Sequence, residues 1–257
     1  MGKIIAVHSY KGGTGKTSLA ANLAATYARR GQKVCLMDLD FRAPSLHAIF
    51  NQEKLDYWLN DYLNGVCEID KVLVDVTKDH GNNGKLVVAL ANPTTEAIRD
   101  MTAKDRKWEM KALGRLLSLR SSLLNGEGYD YIIFDTSPGL QYSSINAIVT
   151  ADVALVVTSL DASDINGSRR MTTELYELFE KKTGILINKV IADLITSKEE
   201  KKFNKHIKEV HTLPVLASIP CFCDVLRAAG NFIFSEERPD HPFTETIEKL
   251  ATKVEQF

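Results

Sequence analysis

No stretch of the 257 residues approaches the ~18 consecutive apolar positions that a membrane-crossing helix requires. Cysteine is scarce. The four present, at positions 35, 67, 221 and 223, do not look like the disulfide framework of a secreted scaffold. Neither sign of charge is in excess: 32 basic and 33 acidic residues leave a net charge of −1. No general field therefore draws the chain to nucleic acid or anionic lipid, although a local basic patch is compatible with this balance. A secretory leader is not expected either, since Met1-Gly2-Lys3-Ile4 runs straight into an apolar segment. No linker and no repeat divides the chain, which reads as a single domain over 1–257. A cytoplasmic globular protein is therefore expected, and a 44% hydrophobic composition supplies its core.

What is present is concentrated in one octapeptide, Tyr10-Lys11-Gly12-Gly13-Thr14-Gly15-Lys16-Thr17. The ordinary phosphate-binding loop begins with glycine, where this chain has Tyr10, and Lys11 is an addition to it. Ahead of the loop, Lys3–Val7 is a short β-branched run that predicts a buried strand. Behind it, Leu19, Ala20, Leu23, Ala24 and Tyr27 recur at helical spacing. Glycines allow successive N–H groups to point into one concavity, and the helix N-terminus adds favourable potential for phosphate. Lys16 is then placed to reach the outer phosphates and the Thr17 hydroxyl to ligate Mg²⁺. The chain should bind a nucleoside triphosphate.

Further strands are predicted at 33–37, 86–90, 131–134, 153–157, 185–187 and 215–219, with helices around 109–124, 164–182 and 244–257 between and after them. Continuous apolar strands separated by helices predict an α/β fold, a mostly parallel sheet covered on both faces. The charged stretch 92–111 reads as a solvated helical connection, with a partner-binding insertion as the alternative. Two strands run out into acids. Asp38-Leu39-Asp40 follows the second, and Asp135-Thr136-Ser137-Pro138-Gly139 follows the 131–134 strand. Ligands of open parallel sheets sit beyond the carboxyl ends of the strands, so these carboxylates can face the phosphates. Asp135 after an apolar run suits a Mg²⁺-associated carboxylate. Gly139, four residues on, suits a switch loop whose N–H turns toward a γ-phosphate.

With these motifs together, the sequence resembles the MinD/ParA family of P-loop ATPases with a deviant phosphate loop. The octapeptide is similar to the family's signature, Asp38-x-Asp40 to its first switch and Asp135–Gly139 to its second, and the likeness covers essentially the whole chain. The resemblance implies an ATP- and Mg²⁺-dependent dimerisation switch that positions or partitions a cellular cargo, set off by a protein partner. By resemblance, residues Lys11 to Ser18 would hold the nucleotide: Lys11, Gly12, Gly13, Thr14, Gly15, Lys16, Thr17 and Ser18. Lys11 would reach the phosphates of a facing subunit, Lys16 would neutralise phosphate charge, and Asp40 would orient the attacking water. Thr17 would ligate the metal, with Asp135 acting through its water shell and Asp38 near it. Asn188 would contact the base and Pro220 would lie against it.

The base can also be argued from the residues. A guanine site of the N-K-x-D type needs an acid where Asn188-Lys189-Val190-Ile191 has isoleucine, while an asparagine amide can pair with adenine. ATP is favoured over GTP. Two other functions are compatible with the scaffold: a metal-cluster carrier using Cys221 and Cys223, and a metabolic ligase or kinase. The C-x-C pair reads more simply as two packed thiols near the base, and His8 as a packed residue beneath the loop. The terminal stripe Ile247, Leu250, Ala251, Val254 and Phe257 could serve a core or a membrane surface. Its flanking Glu245, Glu248 and Glu255 favour packing on the protein.

Overall fold

Among the described residues, apolar runs rich in Val, Ile and Leu form eight strands of one sheet. The computed structural model describes residues 2–78, 83–176, 179–191, 213–228, 230 and 232–257. In chain order the strands are β1 (Lys3–His8), β2 (Lys33–Leu39), β3 (Leu73–Asp75), β4 (Lys85–Ala89), β5 (Tyr131–Thr136), β6 (Val153–Thr158), β7 (Lys182–Val190) and β8 (Val215–Pro220). They lie in the order β3-β4-β2-β5-β1-β6-β7-β8. Every neighbouring pair is parallel except β3–β4. All residues of β5 and β6 are buried, as a sheet covered on both faces demands. Within β1, Ile5 and Val7 enter one apolar layer and Ile4 and Ala6 the other, which is the two-residue period of a strand.

The seven strands expected from sequence are present. The three-residue antiparallel β3 at the sheet edge was not anticipated, because so short a segment carries no readable period. Helix α1 (Lys16–Arg29) follows the glycine loop and buries Leu19, Leu23 and Tyr27. Two short helices, α2 (Leu46–Ile49) and α3 (Leu59–Asn64), were also unforeseen. The charged stretch 92–111 holds α4 (Thr95–Thr102) and the start of α5 (Arg106–Leu119). Asp100, Arg106, Lys107 and Lys111 face solvent there while Met101 is buried, as a solvated helical connection requires. Asp105 caps α5 by accepting from the Trp108 N–H at 2.8 Å, which explains why the helix starts three residues before the expected 109. It continues as a π-helical turn to Gly126.

Helix α6 (Tyr142–Thr150) fills the span between the second acidic motif and β6. Helix α7 (Ala162–Met171) passes into a π turn ending at Tyr176, and β7 begins at Lys182, so the helix expected to reach 182 is shorter. Helix Pro242–Gln256 lies on α1, with Ile247, Leu250, Ala251 and Val254 buried. The Tyr27 hydroxyl donates to the Ala251 carbonyl at 3.1 Å, and Arg30 binds Glu248 and Glu255, each at 2.7 Å. The apolar stripe is thus covered by the protein. Among the described residues no helix is long and apolar enough to cross a membrane.

Candidate nucleotide site

Parallel pairing brings the carboxyl ends of β1, β2, β5 and β7 to one edge of the sheet, and the loops that leave them build the site. The loop after β1 turns on Gly13 and Gly15, whose φ values of 75° and 94° are left-handed and suit glycine. Gly15 has a second constraint: a Cβ there would run into the Asn188 amide. Helix α1 starts at Lys16 with no side-chain cap, so its first N–H groups remain available to an anion. Lys16 is 6% exposed. Gly12, Gly13, Lys16, Thr17 and Asp40 line a cavity of about 550 Å³ that is open to solvent.

The acids beside this cavity occupy different environments. Registration of β2 with β5 sets Asp38 opposite Asp135, and both are fully buried. The Asp38 carboxylate accepts from the backbone N–H groups of Asp40, Ser45 and Leu46 at 3.0, 3.3 and 3.3 Å. It therefore organises the 40–46 loop and the start of α2. Neither oxygen of Asp135 meets a hydrogen-bond partner at full geometry, although the Thr17 hydroxyl lies alongside. Burial pushes Asp135 up to about 7, against the opposing pull of Thr17 and Lys16. Asp38 is raised well above the usual carboxylate range by burial and then by Asp135. A buried carboxylate with unpartnered oxygens beside a threonine hydroxyl fits the oxygen-ligand chemistry of Mg²⁺. Asp40, 8% exposed, accepts from the Ser137 hydroxyl at 2.8 Å and the Ala43 N–H at 3.2 Å, which ties the two acidic loops together.

Two contacts hold the loop after β5 against β1. The Gly139 N–H donates to the Ser9 carbonyl at 2.9 Å, so turning it toward a γ-phosphate requires that bond to break. Thr136 Oγ1 donates to the Val7 carbonyl at 3.0 Å and lies 2.6 Å from His8 Nδ1. Burial, followed by the charge of Lys16, pushes His8 down to about 3. The ring is neutral and structural, as expected.

Lys11 does not point into the phosphate cavity. Its Nζ lies 2.8 Å from Asp161 Oδ1 and bonds the Ser163 hydroxyl, both at the start of α7. Asp161 and Ser163 carried no sequence signal, being some 150 residues away in the chain. The Tyr10 ring covers Gly167 of the same helix so closely that a Cβ at 167 would collide with it. Glycine at 167 is what admits the tyrosine that replaces the first loop glycine.

A second cavity of about 260 Å³ adjoins the first at Gly15. Ser18, Asn188 and Pro220 line it, together with Cys221, one of the two thiols read from sequence as lying near the base, and with Phe222 and Phe243, which the sequence did not single out. Mostly apolar walls with one amide suit a flat purine. Asn188 donates from Nδ2 to the Thr14 carbonyl at 2.7 Å and accepts from the Lys189 N–H at 2.9 Å. An amide has two donors and two acceptor sites, so one of each remains for a base. Cys221 forms part of the wall while Cys223 is exposed. Among the described residues, no group of three or more His, Cys, Asp or Glu side chains is gathered to hold a metal ion.

Comparison with known proteins agrees with this geometry. A family model described as an AAA domain matches residues 2–189. The septum site-determining protein MinD of Thermotoga maritima is 28% identical over 99% of this chain and 88% of its own length. MinD of Synechocystis is 32% identical over 76% of this chain and 67% of its own. Among solved structures, MinD of Pyrococcus horikoshii complexed with Mg-ADP superposes with a TM-score of 0.79 at 23% identity, covering 100% of this chain and 97% of that one.

Proposed function

Because the chain belongs to the MinD/ParA family of P-loop ATPases, we propose that it is a Mg²⁺-dependent switch that dimerises around ATP and serves in placing a division site or partitioning a cargo. The observation that carries this reading is the convergence of three strand ends on one cavity. They supply a glycine loop with Lys16 and Thr17, the Asp38/Asp40 pair, and a buried Asp135 whose oxygens are unpartnered. Mg²⁺, when bound, neutralises charge on the β- and γ-phosphate oxygens, and Thr17 with Asp135 would hold it.

The chain's own residues account for the rest. Loop N–H groups and Lys16 bind the phosphates, and Asp40 orients a water for attack on the γ-phosphorus. Phosphoryl transfer asks mainly for such positioning and charge neutralisation, so a short roster suffices. Asn188, Ser18 and Pro220 take the adenine. Lys11 acts across a two-fold interface, on leaving Asp161 and Ser163 for the nucleotide of the facing subunit. No observation favours the cluster-carrier or ligase alternatives.

Light scattering tests the switch. The Asp40→Ala variant, which should bind ATP without turning it over, is expected to shift from monomer to dimer on addition of Mg-ATP. Adding Lys11→Ala should abolish that shift while much of the nucleotide binding persists. A monomer with ATP at roughly tens of micromolar protein, the regime of transient switches, sinks the proposal.

A further inference from the structure

Lys189 is absent from the roster above, yet its backbone and side chain are both unusual. It has φ = 60°, one of three non-glycine residues with positive φ among those described. A lysine gains nothing locally from the left-handed region, and such strain persists where surrounding structure demands it. The β7–β8 pairing is irregular between Ile187 and Val190, which brackets this position, and a local bulge re-aims side chains. From there the Lys189 ammonium donates to the Gly13 carbonyl at 2.7 Å. Its neighbour Asn188 donates to the Thr14 carbonyl, also at 2.7 Å. Two consecutive residues at the end of β7 thus capture two consecutive carbonyls of the phosphate loop.

A trans peptide unit is planar, and its C=O and N–H point in opposite directions. Drawing the Gly13 carbonyl toward β7 turns the Thr14 N–H away from β7. Drawing in the Thr14 carbonyl does the same for the Gly15 N–H. The loop separates the two cavities, with Asn188 and Lys189 lining one and Gly12, Lys16 and Thr17 the other. We infer that Lys189, together with Asn188, is a positioning residue that aims the Thr14 and Gly15 N–H groups into the anion concavity. The side chains preset the nest that a phosphate would otherwise have to organise on arrival. This rests on the loop being the phosphate site of the proposed ATP switch.

Lys189→Gly separates the possible roles. Glycine accepts φ = 60° without strain, which offsets its greater unfolded-chain entropy, so the variant should still fold. Its affinity for Mg-ATP in a fluorescence titration should nevertheless fall about tenfold, the scale of one charge-assisted hydrogen bond. Lys189→Met, which keeps the backbone strain, should lose as much, and Lys189→Arg should restore most of the binding. Because the aimed N–H groups read phosphate, the loss should be equal for ATP, GTP and inorganic tripolyphosphate. Wild-type affinity in Lys189→Gly and Lys189→Met overturns the inference, and so does a loss for ATP with tripolyphosphate unaffected, which would make Lys189 a base contact. Wild-type protein that binds none of the three would instead overturn the ATP-switch reading itself, an outcome distinct from a defect confined to the variants.

Discussion

At the scale of single residues, burial raises the acids of the site and lowers its histidine, so the two kinds of group pull in opposite directions. Asp135 is raised from 3.8 to about 7, so the folded protein holds its proton more tightly than the unfolded chain. Its contribution to stability is complete below pH 3.8 and is lost as pH rises through about 7. His8 is lowered from 6.5 to about 3, so its contribution is present above pH 6.5 and is lost as pH falls toward 3. Between pH 4 and 6.5 the two slopes oppose each other. The nucleotide-free Asp135→Asn variant loses the Asp135 slope and keeps those of His8 and of Asp38, which is likewise raised. Its melting temperature should therefore rise more steeply with pH across that window than the wild type's, and parallel curves would contradict the assignment of Asp135 as a buried, protonated acid near neutrality.

Much of this residue-level site is legible in the chain. The octapeptide and the two acidic motifs lie in local sequence, where spacing reports on function directly. Partners of Lys11, Asp40 and the loop carbonyls are harder. Ser137 lies within a recognised motif, yet nothing in the chain says that its hydroxyl meets Asp40 rather than solvent. Asp161, Ser163 and Lys189 become neighbours of the loop only through strand order.

At the scale of elements, the helix Pro242–Gln256 shows how packing resolves an ambiguous pattern. Its apolar stripe is compatible with a lipid surface, but Tyr27, Arg29, Arg30 and Lys3 anchor it to α1 and β1 through contacts that span more than 200 residues. Leu250 is 1% exposed, and Leu250→Ala should cost about 3 kcal/mol in denaturant unfolding, as buried leucine truncations do. Anionic liposomes should not pull the protein down with ATP present. Co-sedimentation that disappears on deleting 244–257 from a variant still folded would show that this face leaves α1 for the membrane. The elements missed from sequence, among them β3 and helices α2, α3 and α6, are three to nine residues long. Such segments are too short for a period to stand out and are held by the sheet and its neighbours rather than by their own propensity.

At the scale of the whole molecule, the two cavities meet at Gly15, so one nucleotide spanning both would tie β1, β2, β5, β7 and β8 together. A ligand that binds only the folded state stabilises it by mass action, about 2.7 kcal/mol at a hundredfold excess over Kd. Mg-ATP should accordingly raise the melting temperature of the wild type and leave that of Lys16→Ala unmoved, because removal of the buried ammonium leaves phosphate charge unneutralised. An equal rise in both would remove Lys16 from the phosphate site.

The sequence alone determined the alternation of strands and helices, the phosphate loop, the acids that follow β2 and β5, and the family they resemble. Each of these is written in contiguous residues, where hydrophobic period and motif spacing act locally. Tertiary structure decided the rest. It set β7 beside β6 so that Asn188 and Lys189 could reach the loop carbonyls, and it brought α7 under Tyr10 and Lys11. It also put the terminal stripe against α1. These contacts join residues 150 to 224 positions apart, and which distant surfaces meet is decided by the order in which strands pair, which no local pattern encodes.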